Sequence, residues 1–304
     1  MRMLVLSRNA ALYSTARLIR AARARGHEVD VLDPVSLQFA ALPGMPGVLV
    51  DGSPLPKYDV VLPRIGASMT SYGATAVAAL TELGLPVLNG ANGILLARDK
   101  LRSLQRLAAH RVKVPRTVAL RSLGGLQEAL ALVGGCPVVV KLQNGTHGVG
   151  TMLAESEKGL FSLCETLAAL GQQLVLQEFV KAARGRDIRA FVVGGKVMAA
   201  MLRTAAPGEF RSNIHRGGTG EAVTLNRRFT TTALRAAAAI DLEIAGVDIL
   251  DADGTPLVIE VNCSPGLEGI EQATEINIAD AVIARAEKLA TRRPARRRPR
   301  RSRG

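Results

Sequence analysis

The stretch Ala245-Gly-Val-Asp248-Ile-Leu-Asp-Ala-Asp-Gly254-Thr-Pro-Leu-Val-Ile-Glu260-Val-Asn262-Cys-Ser-Pro265-Gly266 reads as two apolar strands joined at Asp253-Gly254. That dipeptide reverses a hairpin because Gly accepts positive φ. Glu260 and Asn262 lie two apart on the second strand and so share a face, while Val258, Ile259 and Val261 mark the strand as buried. A three-residue loop, Asp253 to Thr255, puts Asp248 opposite Glu260 on that same face; a two-residue loop slips the register by one and sends Asp248 to the other side. Two carboxylates and an amide oxygen inside an apolar sheet repel unless a cation joins them. An all-oxygen set with few protein ligands suits Mg²⁺ shared with phosphate oxygens. The same residues also fit a half-exposed hairpin with ordinary surface acids, so the rest of the chain has to decide.

The 304 residues, 48% hydrophobic, are enough for two or three small domains with real cores. Cys136, Cys164 and Cys263 are far apart with neither metal-ligand nor disulfide spacing, which predicts reduced, buried thiols in a cytoplasmic protein. The first residues are too short an apolar run for a signal peptide, and no stretch reaches the ~18 apolar residues of a membrane helix. Of the net charge of +13, most sits in Thr291 to Gly304, where eight Arg stand with no acid. With two prolines and no apolar period, residues 291–304 are expected to be a disordered tail. Its Arg would be drawn to RNA or another anionic surface, or would serve solubility alone.

Met3 to Leu6, Glu28 to Leu32, Val60 to Leu62 and Pro86 to Leu88 read as strands, alternating with helices at Ser14 to Arg25 and Thr70 to Leu83. Such alternation predicts a small parallel α/β domain over 1–93. No G-x-G-x-x-G follows its first strand, so nothing points to a dinucleotide; Ser7, Arg8 and Arg64 lie at strand ends, where they are substrate-side candidates or simple loop anchors. A helix over Ala97 to His110 carries Lys100 in its first turn, against the helix dipole, which suits a phosphate or a solvated lysine. In Val138-Val-Val-Lys141-Leu142 a lysine sits within an apolar strand and wants an anion, and three glycines follow in Gly145 to Gly150 as a flap whose N–H groups can close over phosphates. The chain lacks a P-loop and the catalytic triplets of protein kinases. Backbone groups of Glu178 and Phe179 would meet an adenine edge and Asp187 ribose hydroxyls, although each also reads as a strand end. Arg203, Arg211 and Asn213 supply cations and an amide, and His215 is placed to orient its loop.

The order of these features resembles the ATP-grasp superfamily of carboxylate–amine ligases. Ser7-Arg8, Pro63-Arg-Ile-Gly66, Ala97-Arg-Asp-Lys-Leu-Arg-Ser103, Val139-Val-Lys141, Phe210-Arg-Ser-Asn213, His215-Arg-Gly-Gly218 and Glu260-Val-Asn262 followed by Ser264 to Glu271 look more closely like the RimK family. The likeness runs over residues 1–290. It implies an α/β fold with a pre-ATP-grasp domain (1–93) and an ATP-grasp domain (94–290), the latter in two subdomains (about 112–180 and 181–290). It also implies that Lys100, Lys141, Glu178, Phe179, Asp187, Arg211, Ser212 and Asn213 bind ATP, and that Asp248, Glu260 and Asn262 hold two Mg²⁺ or Mn²⁺ ions. Lys141, Arg203, Arg211 and Glu260 would be catalytic. Phe179 stands where the family usually has Tyr.

RimK enzymes add L-glutamate to the C-terminus of a small-subunit ribosomal protein, so the resemblance implies that acceptor, an acyl-phosphate intermediate and a homo-oligomer such as a tetramer. Two other functions fit the residues. One is an ATP-grasp ligase making poly-α-glutamate or joining an amino acid to a small metabolite. The other is a ribosome- or RNA-binding protein regulated by ATP.

Overall fold

The computed structural model describes residues 1–41, 47–142, 150–210 and 217–291. Its first part runs β1 (Arg2–Leu6), α1 (Tyr13–Ala24), β2 (Glu28–Leu32), β3 (Leu37–Phe39), β4 (Val48–Val50), β5 (Ser53–Pro54), β6 (Val60–Pro63), α2 (Thr70–Glu82) and α3 (Ala91–Arg98). Strands β2, β1 and β6 form a parallel sheet in that order, as the alternation predicts. The Pro86 to Leu88 strand shrinks to a single bridge, Val61 to Val87, and β3, β4 and β5 make a small antiparallel sheet that the sequence pattern did not show.

The helix expected over Ala97 to His110 is broken. Asp99 leaves helical geometry to cap α4 (Lys100–Ala109), accepting from the Arg102 N–H at 3.0 Å. Then come β7 (Thr117–Leu120), α5 (Leu126–Val133), β8 (Val138–Leu142), β9 (Thr151–Ala154), α6 (Glu157–Ala169) and β10 (Leu174–Glu178), which form a four-stranded sheet β7-β10-β8-β9. The last part holds β11 (Arg186–Val193), β12 (Lys196–Thr204), β13 (Thr219–Ala222), α7 (Arg227–Ala239), β14 (Ile244–Ala252), β15 (Thr255–Asn262), α8 (Glu268–Thr274) and α9 (Ile278–Ala290). Its five strands run β13-β12-β11-β14-β15.

Three apolar clusters hold these layers. One face of the parallel sheet, with Leu4, Leu6 and Val61, and one face of the five-stranded sheet, with Ala190, Val247 and Val261, belong to the same core. Helix α7 fills it with Phe229, Ala233, Ala236 and Ala237, a helical stripe; Asn226 caps this helix through the N–H groups of Arg228 and Phe229. The opposite faces, with Met3, Val5, Val60 and Leu62 against Phe191 and Met201, meet through α1 and α9. The four-stranded sheet has a core of its own, whose buried members all lie between Leu126 and Leu176.

The hairpin differs from both registers foreseen for it. Its loop is two residues, Asp253 (φ 50°) and Gly254 (φ 79°), so Ala252 pairs with Thr255. That register alone would turn Asp248 away from Glu260. A bulge corrects it: Ile249 pairs with Val258, Ile259 is the extra residue, and Asp248 then faces Glu260, with Gly246 opposite Asn262.

Candidate active site

A polar row crosses one face of the five-stranded sheet. Asp187 on β11 is directly opposite Arg203 on β12, Arg189 is opposite Asp248 on β14, and Asp248 is opposite Glu260 on β15. Along β11 the same face continues into Phe191 and Val193, which belong to the core under α1 and α9, so the polar row begins where that core ends.

Arg189 grips Asp248 with two donors, Nε to Oδ1 and Nη2 to Oδ2, both 2.7 Å. Arg203 reaches Asp248 at 2.9 Å and donates to both oxygens of Asp187. Asp187, Arg203 and Asp248 are each 4% exposed or less. Burial opposes the charge on Asp248, but Arg189 and then Arg203 more than offset it and hold its carboxyl below the usual range. Such charges share a buried layer only because every one is paired.

Glu260, at the end of the row, is exposed, and Asn262 beyond it keeps a buried Nδ2 with no hydrogen-bond partner. The Glu260 carboxylate, open to solvent, and the Asn262 amide oxygen, backed by Asp248, make an oxygen-rich set that fits a hard divalent cation, whereas the unbonded Nδ2 is a donor and ligates none. Among the described residues no group of three His, Cys, Asp or Glu side chains is gathered, so a cation here would lean on the amide and on its substrate.

Two lysines come to this edge from elsewhere. Lys141 on β8 has its pKa pushed down to about 8, chiefly by burial; Glu260 is the charge that most opposes the fall, and Lys100 adds to it. Lys100, the first residue of α4, donates from Nζ to the carbonyl of Leu142 at 3.0 Å; burial lowers its pKa also, again with Glu260 opposing. An ammonium pair held near one carboxylate, with burial pressing both to lose their protons, is built to receive a polyanion.

Residues 1–94 match the model of the RimK PreATP-grasp domain and residues 97–286 that of the RimK-like ATP-grasp domain. The chain belongs to the RimK-like ATP-grasp family. It is therefore an ATP-dependent, ADP-forming carboxylate–amine ligase. It is 47% identical to a probable alpha-L-glutamate ligase 1 of Pseudoalteromonas atlantica, over 93% of this chain and 94% of that one. Against a probable alpha-L-glutamate ligase of Shewanella loihica the identity is 48%, over 95% and 96%. In fold it is similar to the ATP-grasp ligase PsnB solved with a precursor variant, Mg and ADP (TM-score 0.74, 21% identity, 95% and 98% covered). The RimK domain protein of Sphaerobacter thermophilus is likewise similar (TM-score 0.70, 21% identity, 94% and 100% covered).

On this RimK-like frame the described residues among those singled out from sequence fall into three groups. Lys100, Lys141, Asp248, Glu260 and Asn262 come together at one edge, and Arg203 stands behind them as a buried partner of Asp187 and Asp248. Glu178 ends β10 and Phe179 follows it; Arg116 holds the Glu178 carboxylate at 3.1 Å and low in pKa, and the Glu178 N–H is given to the Arg116 carbonyl at 2.8 Å. Ser7 is a loop anchor, its hydroxyl 2.9 Å from that of Thr15. Arg8 and Arg64 lie at the C-terminal end of the parallel sheet, where Arg64 donates to the Pro265 carbonyl at 2.9 Å. Arg211, Ser212, Asn213 and His215, most of the glycine flap and residues 292–304 lie outside the described residues.

Sequence reading missed Arg189, although its place two residues after Asp187 on one strand was a signal. It also missed Asn89. This side chain, 3% exposed, donates to the carbonyls of Ile244 and Cys263 and accepts from the N–H groups of Glu243 and Ile244, tying the first part of the chain to β14 and the end of β15. Among the described residues no helix is long and apolar enough to cross a membrane.

Proposed function

We propose that this ligase adds L-glutamate to the C-terminal carboxylate of a protein acceptor, a small-subunit ribosomal protein, through an acyl phosphate. The single observation that carries the chemistry is the meeting of Lys141 and Lys100 with Glu260 and Asn262 at one edge. The glutamate assignment is supported by the names of relatives at 44–48% identity. The ribosomal acceptor comes from the RimK resemblance of the motifs.

Lys100 and Lys141 bind the phosphates of ATP. Adenine is met by the Glu178 carbonyl and the Phe179 backbone, because the Glu178 N–H already has a partner. Asp187 reaches the ribose only by releasing part of its hold on Arg203, which otherwise acts with Arg189 to position Asp248. Glu260 and Asn262, with Asp248 behind, would hold Mg²⁺ or Mn²⁺, and two such ions would neutralise charge on the transferred phosphoryl group. Arg211, Ser212 and Asn213 are assigned to the triphosphate from the motif alone. The acceptor carboxylate attacks the γ-phosphorus and releases ADP; the amine of glutamate then attacks the acyl phosphate and releases phosphate. Lys141 stabilises charge in the first step without donating a covalent bond. Residues 1–93 and 94–290 are the proposed working units.

The test is intact-mass measurement of the purified ribosomal acceptor after incubation with the protein, ATP, Mg²⁺ and glutamate. A ladder of glutamyl additions, absent with Glu260→Ala, is the expected result. Glutamate-dependent ADP release with an unchanged acceptor would transfer the assignment to a peptide or metabolite acceptor. RNA binding without any ADP release would favour an ATP-regulated binding protein.

A further inference from the structure

We propose that Arg8, Arg64 and Arg98 form the pocket that grips the carboxylates of the amino acid whose amine is ligated. This rests on the glutamate-ligase reading above. The three guanidinium groups converge on one loop, Pro63 to Gly66, at the C-terminal end of β6, the end at which parallel α/β sheets bind ligands. Arg64 belongs to the loop. Arg98, in the last turn of α3, donates to the Ile65 carbonyl at 2.7 Å, and an Nη of Arg8 lies 3.9 Å from where a side chain on Gly66 would begin.

None of the three has a carboxylate partner among the described residues, in contrast to Arg189, Arg203, Arg17, Arg25 and Arg285, each of which does. Arg64 and Arg98 are half-buried and near enough to repel each other, and the Nε of Arg98 is buried with no partner at all. Their hydrogen bonds run to backbone carbonyls, which fixes the forks without neutralising them. Two half-buried, fixed, un-neutralised guanidinium groups are stabilised when an anion joins them, and the planar fork selects a carboxylate or a phosphate.

The position selects the carboxylate of the amino acid. Arg64 is bound to Pro265, three residues beyond Asn262, and Pro265 packs so closely over Gly246 that a Cβ there would stand 2.8 Å away. Arg98 is two residues before Lys100, whose ammonium is within electrostatic reach of Glu260. The cluster therefore adjoins the reaction edge through Pro265, which follows the strand carrying Glu260 and Asn262, and through Arg98, which stands next to the start of α4. A carboxylate that must attack phosphorus needs free electron pairs, which a double guanidinium grip would occupy. The carboxylates held here are those that do not react, and the incoming glutamate carries two, leaving its amine free.

The experiment uses the full chain with a peptide ending in Glu-Glu as acceptor, ATP, Mg²⁺, and either L-glutamate or hydroxylamine. Hydroxylamine attacks the acyl phosphate in place of the amine, yields the hydroxamate and phosphate, and has no carboxylate to be held. Arg8→Ala, an exposed change, and Arg64→Lys and Arg98→Lys, which keep the cation, are checked for folding by circular dichroism. For each, KM for glutamate rises about tenfold or more, the ratio of glutamyl transfer to hydroxamate falls by the same factor, the preference for glutamate over glutamine narrows, and KM for ATP stays within about twofold. A rise in KM for the peptide with KM for glutamate unchanged assigns the pocket to the acceptor and overturns the proposal, leaving the ligase reading intact. Glutamate KM values like that of the unmodified protein in all three variants overturn it too. If the unmodified protein forms hydroxamate but never transfers glutamate, the glutamate reading itself fails and takes this assignment with it.

Discussion

The four-stranded sheet and the five-stranded sheet border the same edge, yet they are held in different ways. The five-stranded sheet shares two apolar cores with the parallel sheet at the start of the chain, and polar ties reinforce the union: Asn89 with its four backbone bonds, Arg17 to Glu271, and Arg25 to Asp280 and Glu287. The four-stranded sheet closes its core on itself. A polar link to the rest at this edge is Lys100 to the Leu142 carbonyl. The row from Arg203 to Glu260 is thus fixed by strand register within one body, while Lys141 arrives on a second body. Distances within the row are set by backbone pairing; the distance from Lys141 to Glu260 is set by how the two bodies meet.

The largest expected effect tests that junction. Lys141→Ala and Glu260→Gln, one on each body, should each lower kcat for ADP release by about 10²–10³. The double variant should fall little further, because both act on one phosphoryl group. Losses that multiply in full would mean that the two sides act independently.

Core truncations separate the bodies next. Leu176→Ala should cost about 2–5 kcal/mol and Phe191→Ala about 3–5 kcal/mol. Amide exchange should show the first loosening β7, β8 and β10 while β11 and β14 keep their protection, and the second loosening the parallel and five-stranded sheets together. Uniform loss of protection after Leu176→Ala would erase the distinction. Asn89→Ala leaves several buried backbone groups without partners and should cost on the order of 3 kcal/mol in urea unfolding, with the core of the four-stranded sheet unaffected.

A smaller effect follows from protonation. With its pKa lowered to about 8, Lys141 is cationic below that value and neutral above it. KM for ATP should therefore climb as pH passes from about 7 to 9, by at most about tenfold per unit, and Lys141→Arg should flatten the climb. A KM indifferent to pH over this range would remove Lys141 from the phosphates. The smallest effect concerns the surface clasp of α1 on α9. Arg25, and then His27 after the opposing effect of burial, hold the Glu287 carboxyl down to about 2 from an ordinary 4.5. Its contribution is present above about 4.5 and is lost as pH falls toward 2. Glu287→Gln should lower Tm slightly at neutral pH and blunt the acid limb of the melting curve.

Much of the frame was legible from local pattern. The parallel alternation of β1, β2 and β6, the helix α7 and strand β8 with its odd lysine all appear as apolar periods with breaks at Gly, Pro or Asn. The break at Asp99 was less legible, because a cap and a first-turn residue look alike until the chain bends. Arg189 and Asn89 were passed over for another reason: their roles depend on partners 59 and about 155 residues away.

By itself the chain determined the residue types at the reacting edge, the alternation that makes α/β layers and a hairpin with Asp248, Glu260 and Asn262 on its two strands. Those follow from spacing of two along a strand and from turn chemistry. Tertiary structure decided what those residues face. The Asp253-Gly254 turn alone would have separated Asp248 from Glu260, and one bulged residue, Ile259, brought them back. Strand register then gave Asp248 to Arg189 and Asp187 to Arg203, while among the described residues Arg8, Arg64 and Arg98 meet no carboxylate. Which charges are neutralised and which remain open for a substrate depends on long-range pairing, and local sequence carries no energy term for that.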